Sequence, residues 1–254
     1  MRIIKYLFIS LCFFFPGTSQ AQETYYKPFT LAQQTNTEFA TLVQDIKSKL
    51  THAGYTIEGE YTFLAERKIL IISNARLKNH ASLSPYGGYG AAIRVAITKA
   101  ESNTQVSFNN PVYMAHAYRM KEDLSDVAQQ LQNLLGFIQD FGSEKGLTKN
   151  ELRDYQYKIF MPDFEDRLEL AEYVNYTVAV KKVEASIRKG NGGTKLIYRI
   201  DLPDKNETVF GIAISGTVDQ TECAGDKFIM DKIDFRKIKS SAHLPYEILV
   251  KGQQ

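Results

Sequence analysis

Arg94 is the residue whose surroundings point most directly to binding chemistry. It stands on a predicted strand between Ala92 and Ala96, and these small neighbours leave room for a ligand beside its guanidinium. A guanidinium is a planar fork of hydrogen-bond donors that can hold a carboxylate. The alternative is a salt bridge from Arg94 to an acidic residue beneath a structural loop.

A loop rich in glycine and tyrosine precedes this strand, and more tyrosines follow it. Glycines let a ligand approach the backbone closely, and tyrosine rings supply the walls of a pocket. The predicted ligand-binding residues are therefore Tyr86, Gly87, Gly88, Tyr89, Gly90, Arg94, Tyr113, Tyr118 and Arg119.

A soft-metal site is a second hypothesis from the same region. If residues 112–120 form a helix, His116 and Met120 stack at positions i and i+4, with Met114 on the flank. Imidazole and thioether ligands suit a soft ion such as Cu(I). The alternative is that these side chains pack against a sheet.

Catalytic motifs are not evident in the sequence. The four histidines are scattered and match no zinc-ligand spacing. Only His116 with Tyr118, or Cys223 with His243, could place a base beside a nucleophile. The sequence therefore predicts no catalytic residue, identifies no cofactor and favours a non-catalytic role.

The first 21 residues have the pattern of a secretory signal peptide. Arg2 and Lys5 precede an apolar run, Tyr6–Phe15, which is too short to span a bilayer, and Ala21 offers a small residue for cleavage. We therefore expect a mature chain that begins near Gln22 and is located in the periplasm or secreted.

Charge and apolar content restrict the partners of the mature chain. Residues 1–21 carry two basic and no acidic side chains, so the remainder has balanced charge. A neutral chain without a basic stripe does not predict nucleic-acid binding. No later apolar segment is long enough to span a membrane, so we expect no membrane anchor after cleavage. Cys223 is then the single cysteine, and a buried thiol is predicted.

Hydrophobic periodicity predicts the elements that position these residues. The first half is predicted to contain a helix capped by Asn36 or Thr37, a short helix at 74–80, a helix from Leu124 to Phe141, and strands at 55–63, 69–72, 91–99 and 105–109. In the second half, one strand is predicted at 176–187 with a bulge at Lys181–Lys182, and further strands at 196–200, 208–215, 227–235 and 246–250. Residues 22–36 are predicted to be a flexible arm.

Two stretches of the first half resemble a known family. Gly87–Val95 and Asn110–Met120 resemble a secreted branch of domain of unknown function 302, and the likeness covers about residues 37–140. The resemblance implies an α+β domain with helices on one side of a mainly antiparallel sheet, and it implies no activity. We expect an α+β domain at 37–146, followed by a strand-rich half at 147–254.

The sequence favours an exported binding or accessory module for a small molecule. An envelope interaction protein is the principal alternative, with a second-half sheet edge pairing with a partner. A hydrolase-type enzyme and a soft-metal binder are weaker alternatives.

Overall fold

The chain has an α+β fold, as its sequence predicts. A computed structural model describes residues 23–156, 168–217 and 222–254, so the predicted signal peptide lies outside the described residues. Within these ranges the helices are α1 Phe39–His52, α2 Ala75–Ser82, α3 Pro111–Ala117, α4 Ser125–Leu135, α5 Lys149–Arg153, α6 Tyr176–Lys189 and α7 Asp226–Ile233.

Two antiparallel sheets organise the chain. The first sheet has the strand order β2-β3-β4-β5-β1-β6, and the second has the order β7-β8-β9. The strands are β1 Phe29–Thr35, β2 Thr56–Leu64, β3 Arg67–Ser73, β4 Ile93–Lys99, β5 Thr104–Asn109, β6 Gln139–Phe141, β7 Thr194–Leu202, β8 Glu207–Ile214 and β9 Tyr246–Lys251.

Helices α1 to α4 cover one face of the first sheet. The alternation of β4 sends Ile93, Val95 and Ile97 into this core, where they pack with Ile46 and Leu131 from the helices. Strand side chains alternate between faces. Ala92, Arg94 and Ala96 therefore belong to the opposite face, as the sequence predicts.

The second sheet packs against that opposite face. Ile69 and Ile71 of β3 share a core with Tyr198 and Ile200 of β7 and with Val209 of β8. The outer face of the second sheet is covered by α6 in a smaller core. The layers are therefore helices, six-stranded sheet, three-stranded sheet and helix.

Two glycines allow close approaches inside this arrangement. A Cβ on Gly59 of β2 would lie 2.5 Å from the carbonyl oxygen of Ile197, so β2 and β7 come together where the glycine has no side chain. Gly211 of β8 is the cross-strand partner of Tyr198, and a Cβ there would lie 1.9 Å from Cε1 of the tyrosine ring. The ring of Tyr198 therefore occupies the space above Gly211.

Two strand predictions in the second half are wrong. Residues 176–189 form α6, with Asn175 as the N-cap and Gly190 beyond its last turn, and residues 226–233 form α7. In α6 the residues that pack inward follow the i, i+3, i+4, i+7 pattern of one helical face: Tyr176, Ala179, Val180, Val183 and Ile187. Tertiary packing of this helical face prevails over the local β propensity of its valines.

Three predictions in the first half also need correction. The expected flexible arm contains β1, because Phe29–Thr35 pairs with both β5 and β6. Helix α1 is capped by Glu38, whose carboxylate accepts a hydrogen bond from the amide of Thr41. Helix α4 ends at Leu135, since Gly136 has a φ of 102° and the chain then enters β6.

Among the described residues, no helix has the length and apolar character to cross a membrane.

Candidate functional site

A cavity of about 380 Å³ lies at the boundary between the two halves of the chain. Its walls come from Pro28 and Phe29, from Tyr89, from Arg94 and Asn109 of the first sheet, from α3, and from residues 243 and 245–247. The volume is within the range of small-molecule pockets, about 300–1,000 Å³. The cavity therefore joins a predicted ligand region to a segment more than 120 residues later in the sequence.

Arg94 is held by the segment that precedes and begins β9. Its Nη1 donates hydrogen bonds to the carbonyl oxygens of His243, at 2.6 Å, and Pro245, at 3.2 Å. Its Nη2 lies 3.5 Å from Oε1 of Glu247. The salt-bridge alternative is confirmed, and the guanidinium is not an open fork for a ligand carboxylate.

Glu247 is positioned by a second hydrogen bond. The hydroxyl of Tyr198 donates to its Oε1 at 2.5 Å, and Tyr198 is itself fixed over Gly211. Burial lowers the pKa of Arg94, but the carboxylate of Glu247 raises it, and the net shift is upward. The guanidinium of Arg94 therefore stays charged, and both members of the ion pair are largely buried.

Four other titratable groups of the cavity are neutral near pH 7. Burial, followed by the charge of Glu247, raises the pKa of Tyr118. Burial also raises the pKa of Tyr113 and Tyr246. Burial, and then the charge of Arg94, lowers the pKa of His243. The cavity therefore presents neutral aromatic rings around one internal ion pair.

Helix α3 places two of the predicted tyrosines in the wall. Asn110 caps the helix, and its Oδ1 accepts hydrogen bonds from the amides of Val112 and Tyr113. Pro111 occupies the first helical position, where its missing amide proton costs nothing. Tyr113 and Tyr118 line the cavity, and the Tyr118 ring stacks on Tyr89 with centroids 5.5 Å apart.

The glycines of the predicted loop serve close packing. Gly87–Gly90 forms a 3-10 turn, and a Cβ on Gly87 would lie 2.0 Å from the carbonyl oxygen of Ala81. A Cβ on Gly90 would lie 2.4 Å from Sδ of Met120. Neither glycine lines the cavity, so these two are required by sterics between chain segments.

The same turn is fixed to the second sheet by a buried carboxylate. The amide of Gly88 donates to Oε2 of Glu207 at 3.2 Å, and Lys205 lies 3.3 Å from the other carboxylate oxygen. Lys251 lies over the ring of Tyr86, 3.6 Å from its centroid. Tyr86 and Gly88 therefore hold the turn in place and do not line the cavity.

Arg119 also lies outside the cavity. Its Nε donates to the carbonyl oxygen of Arg153, and its Nη2 lies 3.4 Å from Asp154, so it ties the end of α3 to the region of α5. Its φ of 52° terminates the helix. The structure thus brings Tyr89, Arg94, Tyr113 and Tyr118 together and separates the other predicted ligand residues from them.

The structure does not place His116, Met114 and Met120 in the helical arrangement on which the soft-metal hypothesis depends. Helix α3 ends at Ala117, so His116 and Met120 do not stack one turn apart. Met114 and Met120 belong to the first core, whereas the ring of His116 packs on Tyr26 with centroids 5.4 Å apart. In the part of the chain that the structure describes, no group of three or more His, Cys, Asp or Glu side chains is placed to hold a metal ion.

Cys223 departs from its sequence prediction. The thiol is exposed, in a 3-10 turn at Glu222–Ala224, whereas a buried thiol was expected. His243, its suggested catalytic partner, lies at the cavity wall with its ring edge-on to Tyr246. Cys223 does not line that cavity.

Nine of the thirteen residues that line the cavity are not among the ligand residues predicted from sequence. Phe29 lies in the predicted flexible arm, and Asn109 lies at the end of a predicted strand. The stretch His243–Glu247 reads as a proline turn that enters the last strand; the structure bears this out and also places the stretch at the cavity. His243 and Glu247, two positions before and after Pro245, are the sequence signal that indicates a site in this stretch.

No protein-family model, curated protein or solved structure matches this chain. The resemblance to domain of unknown function 302 stays a prediction.

Proposed function

We propose that the mature chain is an exported, non-catalytic module that binds a small molecule in the cavity beside Arg94. The cavity itself is the observation that carries this proposal. It is concave, it has a volume typical of ligand sites, and five aromatic side chains line it: Phe29, Tyr89, Tyr113, Tyr118 and Tyr246.

Binding is tested by a thermal-shift screen of small acids, amides and cyclic apolar compounds against the mature chain. Ala117 lines the cavity, so Ala117→Phe would fill it, whereas Ala185→Phe makes the same change at an exposed position of α6. We expect a compound that raises the melting temperature of the wild type and Ala185→Phe but not of Ala117→Phe. A screen without such a compound would contradict the proposal.

Export rests on the pattern of residues 1–21. Expression of the full chain in a Gram-negative host should give a periplasmic protein whose N-terminus, by sequencing, lies near Gln22. Recovery of the intact precursor from the cytoplasm would contradict export without affecting the binding proposal.

An envelope interaction protein is the second candidate, favoured by one group of exposed apolar side chains. Leu168, Leu170 and Val174 are 84%, 69% and 76% exposed. All three lie in the segment 168–174, in which the amide of Tyr173 donates a hydrogen bond to the carbonyl oxygen of Gln253. Light scattering and pull-down from an envelope extract, with Leu168→Ser/Leu170→Ser as the comparison, would identify a partner for this surface.

A further inference from the structure

The charge balance of the cavity restricts what it can bind. Arg94 contributes one positive charge and Glu247 one negative charge, 3.5 Å apart, and these are the two charged side chains among the residues that line it. A ligand anion that approaches Arg94 also approaches Glu247, and a cation that approaches Glu247 meets Arg94. Attraction and repulsion therefore nearly cancel for either sign of charge.

Because Arg94 and Glu247 are buried, the near-zero net charge of the cavity determines which ligands can bind. The side chain of Arg94 is 11% exposed and that of Glu247 is 7% exposed, so a charged ligand loses hydration as it enters. Because an ion gains no net attraction in the cavity, the free energy of its lost hydration is not recovered. An uncharged ligand does not lose the hydration of a charge.

The walls favour a planar ring. Tyr89 and Tyr118 form a stacked pair on one side, with an interplanar angle of 27°. His243 and Tyr246 form an edge-to-face pair from the C-terminal segment, with centroids 5.6 Å apart. Aromatic faces and edges gain most from planar partners in stacked or edge-on contact.

We propose that the ligand is an uncharged compound of one or two planar rings, and that Glu247 excludes anions by occupying Arg94. This inference rests on the proposed binding function and names its ligand class. Glu247 is a specificity-determining residue here, because removal of its charge leaves a buried guanidinium without a counterion. The cavity then has a net positive charge and favours an anion.

Three probes of one shape test the inference: 2-naphthamide, 2-naphthoate and 2-naphthylmethylammonium. Affinities are measured by calorimetry for the wild type, Glu247→Gln and Glu60→Gln. Glu247→Gln keeps an acceptor for the hydroxyl of Tyr198, and Glu60→Gln removes the same charge from a surface pair with Lys47.

We expect the wild type to bind the amide at least about tenfold more tightly than either ion, a difference of about 1.4 kcal/mol. Glu247→Gln should bind naphthoate at least about tenfold more tightly than the wild type does, while Glu60→Gln matches the wild type. Wild-type preference for naphthoate, or no gain of naphthoate affinity in a folded Glu247→Gln, would overturn the inference. If Glu247→Gln does not fold, the wild-type order of the three probes decides alone.

The two proposals fail in different ways. If the naphthyl probes do not bind but another compound of the screen does, and Ala117→Phe abolishes its binding, the inference on ligand class is wrong and the binding function stands. If neither the probes nor the screen gives binding, both are wrong.

Discussion

Gly211→Ala is expected to destabilise the chain strongly and to act through Tyr198. The new Cβ would lie 1.9 Å from Cε1 and 2.1 Å from Cδ1 of the tyrosine ring. Carbon atoms in contact are about 3.5 Å apart, so the ring must move by roughly 1.5 Å. Tyr198 is 2% exposed and packed in the second core, so this movement displaces other core side chains.

Two effects contribute to the stability that Gly211→Ala is expected to lose. Overpacking of a core costs about 1–3 kcal/mol, and loss of the hydrogen bond from Tyr198 to the carboxylate of Glu247 costs about 1.5–3 kcal/mol. We therefore expect Gly211→Ala to lower the free energy of unfolding by about 2.5–6 kcal/mol. For a chain of this size the melting temperature should fall by about 5–24 °C.

A double-mutant cycle tests whether the loss of stability arises from the steric clash between the new Cβ and the ring of Tyr198. Urea unfolding is followed by circular dichroism for Gly211→Ala in the wild type and in Tyr198→Ala, which removes the ring together with Cδ1 and Cε1. In the second background the cost should shrink to below about 1 kcal/mol, because the atoms that clash are gone. Gly192→Ala, at an exposed position with φ of 63° and open space around its Cβ, is the control and should cost about the same in both backgrounds. Equal costs of Gly211→Ala in the two backgrounds would refute the reasoning.

Two further predictions concern the contact between the sheets and the pH dependence of stability. Gly59→Ala places a Cβ 2.5 Å from the carbonyl oxygen of Ile197, so β2 and β7 must separate, and urea midpoints should report a loss of about 1–3 kcal/mol; an unchanged midpoint would contradict the close approach. Burial, and then Arg94, lowers the pKa of His243, so the folded state prefers the neutral imidazole. This preference costs nothing above the unfolded pKa of about 6.5, and stability falls as the pH decreases below that value. Between pH 7 and 5 the wild type should therefore lose more stability than His243→Asn, and parallel pH profiles would show that His243 is not responsible.

Several elements of the first half could be predicted because their signals are local. Ile69–Ile72 is a continuous apolar run, and it forms part of β3 with all four side chains fully buried between two cores. Asn74 precedes α2 and caps it, since its side chain accepts a hydrogen bond from the amide of Leu77. Run length and capping residues need no knowledge of distant sequence.

Helix α6 shows where local signals fail. Tyr176, Val178 and Val180 alternate as in a strand, and the alternation changes phase at Lys181–Lys182. The phase change is explained by helical spacing, in which Tyr176, Val180 and Val183 fall on one face. Short stretches of β-branched residues fit both patterns, and the second sheet that α6 covers decides between them.

The charged partner of Arg94 could not be identified from sequence. An arginine between two alanines on a strand face predicts either a ligand or an acceptor in the chain, and both satisfy its buried donors equally. Glu247 is separated from it by most of the chain and reaches it because β9 pairs with β8 in the second sheet. Pairing over such distances depends on topology, which hydrophobic periodicity does not encode.

The two halves predicted from sequence are two sheets with a common core. Ile69 and Ile71 from the first half pack with Tyr198 and Val209 from the second, so a boundary near residue 147 would divide one hydrophobic cluster. Without residues 147–254, Arg94 would lose the two carbonyl oxygens that accept from its Nη1 and the carboxylate near its Nη2. A buried charge without partners is strongly unfavourable. The cavity and its ion pair are therefore properties of the joined halves, and the first half supplies only one side of the site.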